Sequence, residues 1–123
     1  MIISEQDAQQ IAQEWIGSWN RHDLDAIMAH YAEKIEFTSP LIAKRLENPS
    51  GTIKDRKELR SYFEQGLAAY PDLNFELLQL LIGVNSVTLY YRSVKDLLAA
   101  EVMILNSQHQ VVKVIVHYSD RSL

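Results

Sequence analysis

The chain has 123 residues, 47% of them apolar and 23% charged, which suits one domain, 1–123, with its own core. A net charge of −4 leaves no cationic excess for a nucleic-acid partner, and the lack of cysteine excludes disulfides, thiolate catalysis and zinc–sulfur sites. The opening MIISEQDAQQ turns polar at once and no run reaches the ~18 apolar residues of a membrane span, so the expectation is a cytoplasmic protein with no membrane partner.

Ser4 reads as an N-cap, with Asp7 three residues on, and opens a helix whose Ala8, Ile11, Ala12, Trp15, Ile16 and Trp19 share one stripe. Asn20-Arg21-His22 breaks it, and Asp23 can cap a second helix with Leu24, Ile27, Met28 and Tyr31 on its apolar face. His30 falls beside that face. Ile35, Phe37 and Ser39 then alternate with Glu36 and Thr38, the period of a strand with one buried face, and Pro40 stops it. Residues 41–54 have no clear period and contain the turn signal Asn48-Pro49-Ser50-Gly51, so they read as a long loop of the functional or mobile kind.

Asp55 and Glu58 form a second capping pair. They precede a third amphipathic helix carrying Leu59, Tyr62, Phe63, Gly66, Leu67 and Tyr70, which Pro71 ends. Four strand-like runs follow, at 73–82, 86–93, 97–105 and 111–118, joined by short polar turns that predict an antiparallel meander. In the last run Lys113 must face water. That sends Ile115 and His117 outward, and Val112, Val114, Val116 and Tyr118 toward the helices.

The third run, Leu97–Leu105, is apolar on both parities except for Glu101. A carboxylate withdrawn from water must find a donor or take up a proton, and either outcome makes Glu101 a candidate acid. The opposite parity, Leu98, Ala100, Val102 and Ile104, predicts a homodimer formed through the outer sheet face. The histidines show no i,i+4 pair and no carboxylate cluster, so no metal site is expected. Six of the twelve cationic residues, Lys44, Arg45, Lys54, Arg56, Lys57 and Arg60, lie close together; they read as a solvated face or, more sharply, as an anion-attracting rim.

The order of elements, with WNRHDLDAIMAHYAEKIEFTSP, DRKELRSYFEQGL and EVMILNSQHQVVKVIVHY, resembles the nuclear transport factor 2-like superfamily, in its SnoaL-like and ketosteroid isomerase-like branch. The resemblance covers nearly the whole chain. It implies an α+β fold: a cone-shaped, curved, mostly antiparallel sheet of about five strands packed on three N-terminal helices. It also implies an apolar pocket between them. That wall would carry Trp15, Tyr31, Phe37, Ser39, Phe63, Tyr91, Met103, Val116 and Tyr118 around Glu101.

Set against ketosteroid isomerases, Glu101 falls where they carry a protonated Asp that donates to the dienolate oxygen. Trp15 falls where they carry an oxyanion-hole Tyr, and Ser39 where they carry the proton-abstracting Asp. A serine cannot collect that proton without a base beside it, so this is not a standard ketosteroid isomerase. The fold hosts isomerases, cyclases, dehydratases and non-catalytic domains alike. Two readings follow. One is a cofactor-free enzyme or binder for a small, apolar, oxygen-bearing molecule, with acid–base chemistry at a carbonyl. The alternative is a non-catalytic ligand-binding or partner-binding domain.

Overall fold

The computed structural model describes residues 2–120. Ser4 Oγ accepts the Asp7 N–H at 3.0 Å and starts α1 (Glu5–Asn20), burying Ala8, Ala12, Trp15 and Trp19 along one face. Asp23 caps α2 through the Ala26 N–H, but α2 spans only Leu24–Met28. Tyr31 therefore does not belong to that helix: it opens β1 (Tyr31–Thr38), four residues before the start expected at Ile35. The Arg56 side chain donates to the Met28 and Tyr31 carbonyls and satisfies backbone acceptors released where the helix stops.

The stretch 41–54 is not a structureless loop. Ser39 Oγ accepts the Leu41 N–H, and Pro40, whose ring presets a helical φ, begins a short α3 (Pro40–Arg45) that buries Ile42. Gly51 then takes φ +65°, with its carbonyl accepting the Ser39 N–H; a Cβ there would stand 3.0 Å from the Ser39 carbonyl oxygen. This turn returns the chain as β2 (Thr52–Ile53), antiparallel to Phe37 and Thr38. Both elements are too short to show a period, which is why neither is visible as a pattern.

Asp55 caps α4 (Arg56–Ala69), and β3 (Glu76–Ile82), β4 (Ser86–Arg92), β5 (Leu98–Leu105) and β6 (Val111–Tyr118) form the expected antiparallel meander. The sheet has six strands in the order β2-β1-β6-β5-β4-β3, with β1 parallel to β6, and there are four α-helices among the described residues. The architecture is α+β with a curved, open, mostly antiparallel sheet; the counts of five strands and three helices are corrected by β2 and α3.

Parity along β5 is as the pattern predicts: Ala99, Glu101, Met103 and Leu105 are buried, while Leu98, Ala100, Val102 and Ile104 are half-buried on the outer face. In β6 one residue departs from it. Ile104 faces Lys113 but Leu105 faces Val111, so Val112 is an extra residue in a bulge. Val111 takes the buried position expected of Val112. From Lys113 onward the alternation holds, with Ile115 and His117 exposed.

Candidate functional site

The site is built on three adjacent strands. Glu101 pairs with Leu89 on β4 and Val116 on β6, and two positions along the strands Ala99 lies between Tyr91 and Tyr118. All six face the helices. The small Ala99 leaves the two tyrosine rings space on either side, and the diagonal across the sheet brings Tyr91 within reach of Glu101. Its hydroxyl donates to Glu101 Oε1 at 2.7 Å.

Helix α1 closes the space above. The Trp15 indole packs against Phe75 at 5.8 Å and Tyr91 at 5.4 Å between ring centroids, and Trp19 packs against Phe63 at 4.9 Å. Such pairs each contribute roughly 0.5–1.5 kcal/mol beyond burial. The Trp15 N–H donates to the Tyr31 hydroxyl at 3.0 Å. A backbone clamp sets the far wall: Asn20 donates to the Phe75 carbonyl at 2.9 Å and accepts the Phe75 N–H at 2.6 Å, while a His22 ring nitrogen meets the Leu73 carbonyl. The helix break at 20–22 is thus a fastener for the segment that brings Leu73 and Phe75 to the site.

These elements enclose a cavity of about 80 Å³. Glu101, Trp15, Phe37, Ser39, Phe63, Tyr91, Val116 and Tyr118 line it. Tyr31 and Met103 do not: both are fully buried, Tyr31 behind Trp15 and Met103 one step further along β5. Sequence reasoning left out Trp19, Leu41, Arg45 and Tyr70 as wall residues, together with Ser93 and Val94. From the sequence Arg45 reads only as one of six cations in an anion-attracting rim, because the helix that seats it is not foreseen. Of the last two, Val94 opens a 3₁₀ turn, Val94–Asp96, that has no sequence period, and Ser93 stands just before it.

Glu101 is 2% exposed and has no cationic partner among the described residues. Burial raises its carboxyl to about 7, and the hydrogen bond from Tyr91 opposes that rise without cancelling it. The same desolvation, with the carboxylate nearby, pushes the Tyr31, Tyr91 and Tyr118 hydroxyls up, so all three stay protonated donors. Tyr62 is held at about 12, raised by burial and drawn down by the Arg45 charge.

Two buried side-chain polar atoms among the described residues have no hydrogen-bond partner, Glu101 Oε2 and Trp19 Nε1. Both belong to residues lining this cavity. Native interiors rarely leave such an atom orphaned; the Trp19 indole acts on the Tyr31 hydroxyl, which leaves Glu101 Oε2 as the open atom on this wall.

Ser39 is less suited to chemistry. Its Oγ is occupied as the cap of α3, and no histidine lines the cavity. His117 is exposed on the outer side, its Nδ1 3.3 Å from the Ala100 carbonyl oxygen. The cationic cluster also divides: Arg56 is a backbone fastener, Arg60 pairs with Asp25, Lys54 with Glu36, and only Arg45 reaches the cavity wall. Among the described residues no group of three or more His, Asp or Glu is placed to hold a metal ion, and no helix is long and apolar enough to cross a membrane.

A SnoaL-like domain matches residues 12–118 of the chain. A SnoaL-like protein of unknown function from Burkholderia thailandensis E264 is 41% identical, covering 98% of this chain and 100% of that one, with a TM-score of 0.94. The epoxide hydrolase/cyclase-like enzyme SalBIII, which has a role in pyran ring formation in the polyether salinomycin, is 20% identical over 94% of this chain and 93% of its own, with a TM-score of 0.76. An NTF2-like protein of unknown function from Cytophaga hutchinsonii ATCC 33406 is 15% identical, covers 93% and 91%, and has a TM-score of 0.72. At these last two identities the likeness is one of fold. No curated protein matches the chain.

Proposed function

This chain belongs to the SnoaL-like domain family, and we propose that it acts without a cofactor on a small, largely apolar molecule bearing a carbonyl or similar oxygen. The observation that carries the reading is the buried Glu101 carboxyl, held by Tyr91 through one oxygen and unpartnered at the other, on the wall of an aromatic cavity. With its carboxyl raised to about 7, Glu101 is present in both protonation states near neutrality. Protonated, it donates to a ligand oxygen as negative charge builds there; ionised, it accepts a proton. Water excluded from an apolar cavity strengthens that interaction. The chemistry this suits is isomerisation, ring closure or elimination. Dienolate formation by the ketosteroid isomerase route is disfavoured, because the corresponding base position is Ser39, a helix cap.

The test is Glu101→Gln, which keeps shape and removes the titrating proton. On this reading the variant folds but loses binding or turnover in a thermal-shift and activity screen of small ketones, lactones and aromatic acids. Unchanged ligand binding would favour the non-catalytic reading, which the small size of the cavity and the capping role of Ser39 support.

The outer sheet face supports a homodimer. Val102 pairs with Thr88 and Ile115, and Tyr90 and Leu81 extend the same apolar surface, with Leu81 55% exposed. Light scattering on the Val102→Lys variant tests it: a monomer where the parent is a dimer supports the interface, and a monomeric parent refutes it.

A further inference from the structure

The cavity mouth carries a feature that Glu101 does not use. Tyr70, at the C-terminal end of α4, has the Arg45 guanidinium 5.6 Å from its ring centroid and the Lys95 ammonium 6.0 Å from it. The two cations come from different elements, α3 and the 3₁₀ turn. Neither makes a salt bridge among the described residues. Arg45 and Tyr70 line the cavity. Tyr62 senses both ends of it, its hydroxyl drawn down by the Arg45 charge and raised by that of Glu101.

The backbone that presents Lys95 is strained. Lys95 and Asp96 take φ of 57° and 59°, a region that non-glycine residues enter at a cost, and Ser93 and Val94 just before them form cavity wall. Strain of this kind concentrates where a segment is shaped for a ligand. In a chain of net charge −4, two cations with no salt bridge among the described residues stand at the entrance of an apolar cavity whose inner end carries the Glu101 carboxyl.

We infer that Arg45 and Lys95, flanking Tyr70, form a carboxylate-binding rim, and that the ligand of the Glu101 cavity is a small oxo acid. Its carboxylate rests on the rim and its carbonyl oxygen reaches inward to the Glu101 proton. The inward part of this statement rests on Glu101 being the pocket acid. The rim does not. Arg45 supplies planar paired donors, Lys95 a second charge, and Tyr70 a ring face over which the guanidinium stands. A cavity of about 80 Å³ limits the buried part of the ligand to a short chain or a single ring.

The experiment uses matched pairs of probes: pyruvate, 4-oxopentanoate, benzoylformate and 3-benzoylpropanoate, each against its methyl ester. Binding is followed by calorimetry and thermal shift at neutral pH, at about 20 mM and about 300 mM salt. For at least one pair the acid is expected to bind about tenfold more tightly than the ester, a difference that shrinks in the higher salt. Arg45→Gln removes the preference and leaves the ester's affinity in place, and Lys95→Gln reduces it. Glu101→Gln weakens acid and ester together. Equal binding of acid and ester in every pair, a preference that survives the double Arg45→Gln, Lys95→Gln change, or no binding of any acid overturns the rim. Loss of acid and ester affinity in Glu101→Gln without acid preference would leave the Glu101 reading standing and sink the rim alone. An Arg45-dependent preference that Glu101→Gln does not touch would do the reverse.

Discussion

The Tyr91 hydroxyl donates to Glu101 Oε1 at 2.7 Å, while Oε2 of the same carboxyl, equally buried, has no partner. Half of the group is thereby anchored by the sheet and half is left to a ligand. Strand register alone sets this up: Tyr91 stands diagonally across from Glu101 on the inner face, where the two side chains meet above Ala99 and Leu89.

Stability should report the Glu101 proton directly. Burial raises this carboxyl from 4.5 to about 7, so between those values the folded chain keeps a proton that the unfolded chain has released. The unfolded state then binds fewer protons, and stability falls as pH rises across the window and levels off above it. The full difference is on the order of 3 kcal/mol. Denaturant titrations of the parent and Glu101→Gln at a series of pH values should diverge over that range, the variant gaining relative to the parent as pH rises. A constant offset between them would show that Glu101 is not titrating there.

Tyr91→Phe removes the one hydrogen bond that lowers the Glu101 carboxyl, so its titration should move further above about 7. Carboxyl-selective NMR titration reads this. The same change should cost about 1–3 kcal/mol where Glu101 is ionised and less where it is protonated, because a neutral acid loses less when its donor goes. A downward shift would mean that Tyr91 does not hold the charged form.

Ser39 separates capping from chemistry. Ser39→Ala should cost about 1 kcal/mol through loss of the α3 cap, whereas Ser39→Asp keeps a capping oxygen and adds a carboxylate to the cavity wall. Two acids in one cavity should raise the Glu101 titration further and speed deuterium exchange at the acidic carbon of an activated ketone. A folded Ser39→Asp protein with no faster exchange would count against acid–base competence at this site.

Asn20→Ala tests the clamp on the far wall. Two hydrogen bonds to Phe75 are lost, leaving its N–H in a half-buried place, so destabilisation of about 1–3 kcal/mol is expected. Hydrogen exchange should quicken at Phe75 before it quickens in β4 and β5. Uniform acceleration across the sheet would show that the clamp has no local role.

The long elements and their faces were legible because burial writes its period into them. The α1 stripe, the α4 stripe and the four strands of the meander follow 3.6- or 2-residue spacing over enough positions to be read. The run around Glu101 is apolar on both parities, so its inward direction is read with the help of the family resemblance as well. The capping roles of Ser4, Asp23 and Asp55 were equally local, since each needs only a side-chain oxygen and the next turn's N–H groups. What escaped was short or non-local. Helix α3 and strand β2 are set by Pro40, Ser39 and the left-handed Gly51 within a stretch without period, and Tyr31 leaves α2 for β1 because the helix ends at Met28. Val112 lost its buried place to Val111 through a bulge that shows only in the register with β5.

The sequence by itself determined the fold class, the face of each long element and the presence of one acid among apolar neighbours, since these depend on patterns within a segment. Tertiary structure alone decided which tyrosine holds Glu101, that its second carboxyl oxygen is left open on a cavity wall, and that of the six clustered cations only Arg45 lines that cavity. These are distances between elements far apart in the chain. They are fixed by strand register and helix packing, which no single segment encodes.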